Sequence, residues 1–200
     1  MADAIIIPIR GLTKSMSRLR SDLTDSQVDQ IVKYLFENTM HAINHLPYAK
    51  IVVTTDRSLE SLYPEYEYIY DDGRDLNDAL EMVITTHSYT RYLMIMPDLP
   101  GLSAKELDKI VHLSQEIDYL IVNTADHGTA ACLLPAPFFM HKLFGQSSMD
   151  HILEFAKSNR IQVGKFEIKT LLNDLDTFDD LKYWQDQGNA IPDKIYSFES

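Results

Sequence analysis

The stretch RYLMIMPDLPGLSAKEL, residues 91–107, indicates the class of fold, because a predicted buried strand is followed within a few residues by a predicted amphipathic helix. Residues 92–96 are all apolar or aromatic, which predicts a strand covered on both faces of its sheet. Ser103 and Glu106 then have the spacing of a helix start. Asp98 lies between the two elements, flanked by prolines. A carboxylate directly after a buried strand is costly unless a cation uses it.

The same alternation of apolar runs and amphipathic segments continues along the chain. Four runs predict strands: residues 4–9, 50–56, 92–96 and 118–123. Two later stretches, residues 129–135 and 161–168, are β-like. Two further helices are predicted, one at residues 149–157 and one after Thr177. Because the early runs lack period-two alternation, they indicate an α/β fold, a three-layer α/β/α sandwich around a mainly parallel sheet. We expect one domain over residues 1–200, with 185–200 as a candidate irregular tail.

Composition limits the partners and the compartment. The formal net charge of −12 argues against binding nucleic acid or an anionic membrane, since both require a basic surface. The single cysteine, Cys132, excludes an intramolecular disulfide and fits a reducing compartment. The apolar run near the N-terminus is too short for a signal peptide or a membrane span. A cytoplasmic protein is therefore expected.

The first loop is basic although the protein is acidic. Parallel sheets bind ligands beyond the carboxyl ends of their strands, where this loop lies. Its sequence, RGLTKSMSRLR at residues 10–20, contains Arg10, Lys14 and Arg18 and could neutralise the charge of a polyphosphate. The alternative is a solvated basic turn. Neither the G-x-G-x-x-G nor the G-x-x-x-x-G-K-[ST] pattern occurs, so the usual dinucleotide and P-loop signatures are missing.

Asp98 has a candidate partner late in the chain. Asp174 and Asp176 lie in NDLDTFDDL, residues 173–181, just before the last predicted helix. Mg²⁺ commonly takes one or two carboxylates together with phosphate oxygens. The alternative is that these aspartates cap the helix.

Small and hydroxyl-bearing residues precede another predicted helix. In FGQSSMDH, residues 144–151, Gly145, Ser147 and Ser148 stand where a helix N-terminus could receive a phosphate or a carboxylate. Ordinary capping of the helix by serine is the alternative.

Taken in order, six stretches resemble the 2-phospho-L-lactate guanylyltransferases: IPIRGLTKSMSRL (7–19), DLNDALE (75–81), MIMPDLPGLSAKEL (94–107), HGTAACLL (127–134), FGQSSMDH (144–151) and DLDTFDDL (174–181). Those enzymes act in the biosynthesis of coenzyme F-420 and belong to the nucleotidyltransferases with a GT-A-like sheet. The resemblance implies a reaction of GTP with a small phosphorylated acid, namely phospholactate, phosphoenolpyruvate or 3-phosphoglycerate, with release of pyrophosphate.

The resemblance also implies roles for particular residues. Asp98 and Asp176 would coordinate Mg²⁺, and Asp98, Lys14 and Arg18 would be catalytic. Nucleotide binding is implied for Arg10, Lys14, Arg18, Asn77 and Pro97. Binding of the acid substrate is implied for Thr129, Gly145, Ser147 and Ser148. A homodimer is a further expectation.

Four residues depart from the family pattern, one of them Arg10, which stands where a lysine is common. Met16 stands where the family has a lysine that is expected to bind phosphate, and His127 and Ala130 replace a glycine and a polar residue. These changes allow an altered acid substrate, or a catalytically silent homologue that binds a nucleotide. A nucleotidyltransferase or glycosyltransferase of different specificity is the other alternative, although the D-x-D string of sugar transfer is missing after the central strand.

Overall fold

The sheet has seven strands in the order β3-β2-β1-β4-β6-β5-β7. A computed structural model describes residues 3–13, 15–72, 75–188 and 191. The strands are β1 Asp3–Pro8, β2 Ala49–Thr54, β3 Glu67–Tyr70, β4 Arg91–Ile95, β5 Leu120–Asn123, β6 Thr129–Pro135 and β7 Gly164–Phe166. Every pairing is parallel except those of β6, which runs antiparallel to β4 and β5. The expectation of a mainly parallel sheet is confirmed.

Helices cover both faces of this sheet. They are α1 Asp25–Ile43, α2 Ser58–Leu62, α3 Leu76–Thr86, α4 Ala104–Glu116, α5 Ser148–Ser158 and α6 Phe178–Asp186. Short 3₁₀ turns occupy Leu19–Ser21, Ala136–Met140 and Lys169–Leu171. Alternate residues of β1 point to opposite faces, so Ile5 and Ile7 pack in one core with α1, α4 and α6, while Ala4 and Ile6 pack in the other with α3 and α5. The predicted three-layer α/β/α arrangement is therefore confirmed.

The helix starts show how local sequence fixes the elements. Thr24 and Gln27 form a capping box at α1, and Thr177 forms one with Asp180 at α6. Ser103 stands at the N-cap of α4, but its hydroxyl donates to the Glu106 carboxylate, with no side-chain bond to a described backbone amide of the helix. No helix within the described residues is both long and apolar enough to cross a membrane.

The edge strands differ most from the sequence-based prediction. Strand β3 and helix α2 were not predicted, and the β-like stretch 161–168 contains only the three residues of β7. Both strands lie at edges of the sheet, where half-exposed polar side chains hide the apolar signal. Helix α6 includes Gln185 and Asp186, and residues 189–190 and 192–200 of the expected tail lie outside the described part.

Candidate functional site

Two cavities open at the carboxyl ends of the central strands, and Asp98 lines both. The first has a volume of about 320 Å³ and lies between the basic loop and the end of β4. The second, of about 420 Å³, lies between the ends of β4 and β6 and the start of α5. Both volumes are in the range of small-molecule sites. We call them the loop cavity and the strand cavity. The sequence-predicted residues Arg10, Pro97 and Asp176 line the loop cavity, and Arg18, Thr129, Gly145 and Ser148 line the strand cavity.

A backbone hydrogen bond brings the predicted carboxylates together. The Leu175 amide donates to the Asp98 carbonyl oxygen at 2.8 Å, which places Asp174 and Asp176 on either side of the end of β4. The loop after Asp98 also packs tightly against the chain before α6. A Cβ added to Gly101 would lie 2.0 Å from the carbonyl oxygen of Thr170, so only glycine allows this approach. The two loops therefore act as one support for the carboxylates.

These carboxylates repel one another. Burial is the main cause that raises the pKa of Asp98 to about 7, and the charges of Asp174, Asp176 and Asp126 contribute to this rise. Burial also raises the pKa of Asp174, again with help from Asp126. Because the ionised form of Asp98 is disfavoured in the protein alone, a cation bound between these groups would be favoured.

The donor set fits a hard divalent cation that also binds the substrate. All the candidate ligands are carboxylate oxygens, which Mg²⁺ prefers. Across the described ranges, no three His, Cys, Asp or Glu side chains converge closely enough to hold a metal ion unaided. A site at Asp98 would then take one or two carboxylates and complete its coordination with phosphate oxygens and water, as Mg²⁺ sites commonly do. Asp174 joins Asp98 and Asp176 as a candidate ligand.

Positive charge is scarce around these cavities. Among the described residues that line them, Arg10 and Arg18 are the two cations. The Arg18 side chain is 72% exposed, and its Nη1 donates to Asp176 Oδ2 at 2.5 Å. Lys14, predicted to be catalytic and to bind the nucleotide, lies outside the described residues. Among the described lining residues the carboxylates outnumber the two arginines, so this part of the site favours a bound cation.

Asp56 fixes the start of the basic loop, a role that the sequence did not suggest. Its Oδ2 accepts a hydrogen bond from the Leu12 amide at 3.2 Å, and its Oδ1 accepts from the amide and hydroxyl of Ser58. Gly11 has a φ of +152°, and a Cβ there would lie 2.7 Å from the Asp56 side chain. Burial is the largest single influence on the pKa of Asp56 and acts to raise it. The hydrogen bonds together outweigh burial, so the pKa is lowered. The turn that presents Arg10 therefore depends on Asp56.

Arg20 braces the other end of the loop and is not directed at a ligand. Its Nε donates to the Ser15 carbonyl at 3.0 Å, and its guanidinium pairs with Asp25 and Asp29. The hydrogen bond that Arg20 donates to Asp29 is the largest cause of the raised pKa of Arg20. Met16, between these anchors, has a φ of +53° and lines the loop cavity, where the family's lysine is expected.

On the opposite side of Asp98, two buried hydroxyls meet. Thr129 Oγ1 and Ser148 Oγ are 2.8 Å apart and both residues line the strand cavity. Ser147 has a φ of +55°, and its side chain makes no capping hydrogen bond with the described residues. Helix capping by Ser147 is therefore the wrong explanation for this sequence. Ser147 is also not among the residues that line the strand cavity.

The turn between β5 and β6 carries one of the departures from the family pattern. Asp126 Oδ1 accepts hydrogen bonds from the Thr124 hydroxyl at 2.5 Å and from the Gly128 amide at 3.1 Å. The bond from Thr124 is the main cause of the lowered pKa of Asp126. His127 has a φ of +68°, is exposed, and pairs with Asp150 at 3.3 Å. His127 does not line the strand cavity, whereas Ala130 does. Of these two departures, the one at Ala130 therefore changes the wall of the strand cavity.

Asn77 makes contacts that the resemblance does not explain. Its amide forms two hydrogen bonds with the backbone of Phe144, and Asn77 is not among the residues that line the loop or strand cavity. Its role in nucleotide binding stays a prediction.

Comparisons with known proteins agree with this geometry. The family model described as "Guanylyl transferase CofC like" matches residues 3–191. The phosphoenolpyruvate guanylyltransferase of Thermobaculum terrenum is 22% identical over 180 residues, which are 86% of this chain and 78% of that protein. The 2-phospho-L-lactate guanylyltransferase of Methanothermobacter thermautotrophicus is 24% identical over 186 residues, which are 90% of this chain and 83% of that protein.

Solved structures share the fold at lower sequence identity. A protein assigned as a nucleotide-diphospho-sugar transferase from Desulfovibrio desulfuricans G20 matches with a TM-score of 0.78 and 16% identity, over 96% of this chain and 90% of that one. A nucleotidyl transferase from Methanothermobacter matches with a TM-score of 0.66 and 14% identity, over 93% and 97%. The GT-A-like fold is thus confirmed. The match along almost the whole described chain shows that this protein belongs to the CofC-like guanylyl transferase family and is a nucleotidyltransferase.

Proposed function

We propose that the protein transfers GMP from GTP to a small phosphorylated carboxylic acid, with Mg²⁺ as cofactor and pyrophosphate as second product. The acid is 2-phospho-L-lactate, phosphoenolpyruvate or 3-phosphoglycerate, and the product enters coenzyme F-420 biosynthesis. One observation carries this proposal, namely that Asp98 lies at the junction of two cavities within a cluster of carboxylates. The names of the relatives support the choice of phosphoenolpyruvate and 2-phospho-L-lactate.

The reaction needs little proton transfer. An ionised oxygen of the acid's phosphate attacks the α-phosphorus of GTP. The bond from that phosphorus to the oxygen bridging to the β-phosphorus breaks, and pyrophosphate leaves with the electron pair. Catalysis then depends on alignment of the two substrates and on neutralisation of their charges.

In this proposal the loop cavity receives the nucleotide phosphates and the strand cavity receives the acid. Arg10 and Arg18 contact phosphate oxygens, and the hydroxyls of Thr129 and Ser148 donate to the phosphate or carboxylate of the acid. Asp98, together with either Asp174 or Asp176, would hold the cation at the boundary between the two cavities. When bound, Mg²⁺ would neutralise phosphate charge and polarise the α-phosphoryl group.

A substrate panel tests the proposal. Purified protein is incubated with GTP, Mg²⁺ and each of the three acids, and pyrophosphate release is measured. We expect release with at least one acid and none when Mg²⁺ is chelated. If a folded preparation released no pyrophosphate with any of the three, the proposal would fail in this form.

A catalytically silent homologue is the second candidate, and Met16 favours it. This side chain contributes no positive charge to the wall of the loop cavity. A silent protein would show thermal stabilisation by GTP and Mg²⁺ without any product, because a ligand that binds only the folded state raises apparent stability regardless of turnover.

We further propose a cytoplasmic location and a homodimer. The single cysteine supports a reducing compartment. Fractionation of the source cells and light scattering of the purified protein test the two predictions separately.

A further inference from the structure

We infer that Asn77 is a positioning residue for the wall of the strand cavity that receives the acid substrate. This inference rests on the proposed function for the identity of the ligand, but not for the contact itself. It differs from the role implied by the family resemblance, in which Asn77 lies near the nucleotide.

The contact is a two-way pairing between one side chain and a distant backbone. Asn77 Nδ2 donates to the Phe144 carbonyl oxygen at 2.8 Å, and the Phe144 amide donates to Asn77 Oδ1 at 2.9 Å. The two residues are 67 positions apart in sequence. Both polar atoms of the side chain are engaged in this pairing. Release of Asn77 to bind a nucleotide would leave a backbone amide and carbonyl without these partners, which is costly for partly buried groups.

An ion pair next to this pairing also joins the start of α3 to the segment before Phe144, and an aromatic contact holds the Phe144 ring. Asp78 Oδ1 lies 2.9 Å from Lys142 Nζ, so the first turn of α3 holds the segment before Phe144 as well. The Phe144 ring stacks on Phe139, with centroids 5.4 Å apart. The backbone of Phe144 is thereby fixed from one side and its ring from the other.

The segment after Phe144 has an unusual backbone conformation, closed by one local hydrogen bond from the Ser148 amide to the Gly145 carbonyl at 3.1 Å. Gly145 has a φ of +140° and Ser147 a φ of +55°, and residues other than glycine rarely adopt such positive values. Such a conformation persists when surrounding contacts determine it. The Asn77 pairing lies immediately before these residues.

This segment is also the wall of the strand cavity. Phe144, Gly145 and Ser148 line the cavity, and so does Leu76, the residue before Asn77. Ser148 in turn holds Thr129 through its hydroxyl. Loss of the Asn77 pairing would let Phe144 and Gly145 shift, which would change the width of the cavity and the position of the two hydroxyls. The loop cavity, whose lining residues do not include this segment, would keep its shape.

The test compares Asn77→Ala with Asn38→Ala. Asn38 is a matched control, because its Nδ2 also donates to a distant backbone carbonyl, that of Leu102, at 2.9 Å and across 64 positions. Steady-state kinetics are measured with GTP and the acid varied in turn. For Asn77→Ala we expect the KM for the acid to rise roughly ten-fold, as for a loss near 1.4 kcal/mol, with the KM for GTP within about two-fold of wild type. Asn38→Ala loosens the loop after Asp98, which borders both cavities, so it should not raise the KM for the acid selectively over the KM for GTP.

Hydrogen exchange gives a second readout that requires no activity. The Phe144 amide should lose protection in Asn77→Ala and keep it in Asn38→Ala. This arm decides the inference even if the wild-type protein proved inactive on all three acids. A rise in the KM for GTP alone, equal effects of the two variants, or unchanged protection of the Phe144 amide would each overturn it.

Discussion

At the scale of single residues, the site depends on a carboxylate that the fold places in an unfavourable environment. Asp98 has a pKa of about 7, against 3.8 for a free side chain, because it is buried beside Asp174. Its sequence position after an apolar run was enough to identify it. The sequence could not show that Asp174 contributes to the same cluster, because the hydrogen bond from Leu175 to Asp98 joins segments far apart in the chain.

The charge of Asp98 should destabilise the metal-free protein. Between about pH 4 and pH 7 the folded protein holds a proton at Asp98 that the unfolded chain has released, so the free energy of unfolding falls as the pH rises through this window. Asp98→Asn removes the charge. We expect its Tm without metal to exceed that of wild type at pH 8, and the difference to shrink at pH 4.

The control for this measurement is Asp179→Asn, which neutralises a side chain that is 94% exposed. Its Tm should follow wild type at both pH values. A lower Tm for Asp98→Asn than for wild type at pH 8 would show that the native carboxylate stabilises the metal-free fold, contrary to this account.

Asp56 offers a prediction for the nucleotide side. Asp56→Ala removes the acceptor for the Leu12 amide and frees the turn at Gly11, so we expect the KM for GTP to rise several-fold while the KM for the acid changes little. Ser58→Ala is the matched control, because it removes one bond to Asp56 and leaves the bond to Leu12 in place. Equal KM values for GTP in Asp56→Ala and wild type would exclude a role for Asp56 in holding the loop.

At the scale of elements, the capping boxes were the most predictable features and the edge strands the least. The Thr24 box could be identified from sequence alone because the interaction is local. Strand β3 could not, because it has only four residues, EYIY, of which Ile69 alone is buried, and it lies at an edge of the sheet. The direction of β6 also could not be predicted, since antiparallel insertion depends on which neighbours it joins and not on its own composition.

Two capping boxes allow a matched test of how α6 supports the site. At α6, Asp180 Oδ2 accepts hydrogen bonds from the amides of Asp176 and Thr177 and from the Thr177 hydroxyl. Thr177→Ala and Thr24→Ala should each lower the free energy of unfolding by about 1 kcal/mol, as measured by denaturant titration. Only Thr177→Ala should also reduce turnover, because the Thr177 hydroxyl donates to the Asp180 carboxylate and so holds it in place to accept from the Asp176 amide. Equal turnover in the two variants would show that the capping box at α6 does not affect the site.

At the scale of the whole molecule, the order of the strands brings the functional residues to one edge. Strands β1 and β4 are parallel neighbours, so the basic loop that follows β1 and the Asp98 that follows β4 lie side by side. Strand β6 begins at this edge because it is antiparallel, and it places Thr129 there from the opposite direction. The sequence predicted the carboxyl-edge location, but the division into two cavities around Asp98 required the three-dimensional arrangement.

The proposed function requires that Asp98 hold the cation on which guanylyl transfer depends. The most direct measurement is pyrophosphate release by wild type and Asp98→Asn at saturating GTP, acid and Mg²⁺, with the Tm of both proteins recorded in the same buffer. We predict that Asp98→Asn loses roughly 100-fold or more in kcat, since a bound metal contributes several kcal/mol to such reactions, while remaining folded. Wild-type turnover by the folded variant would contradict the account.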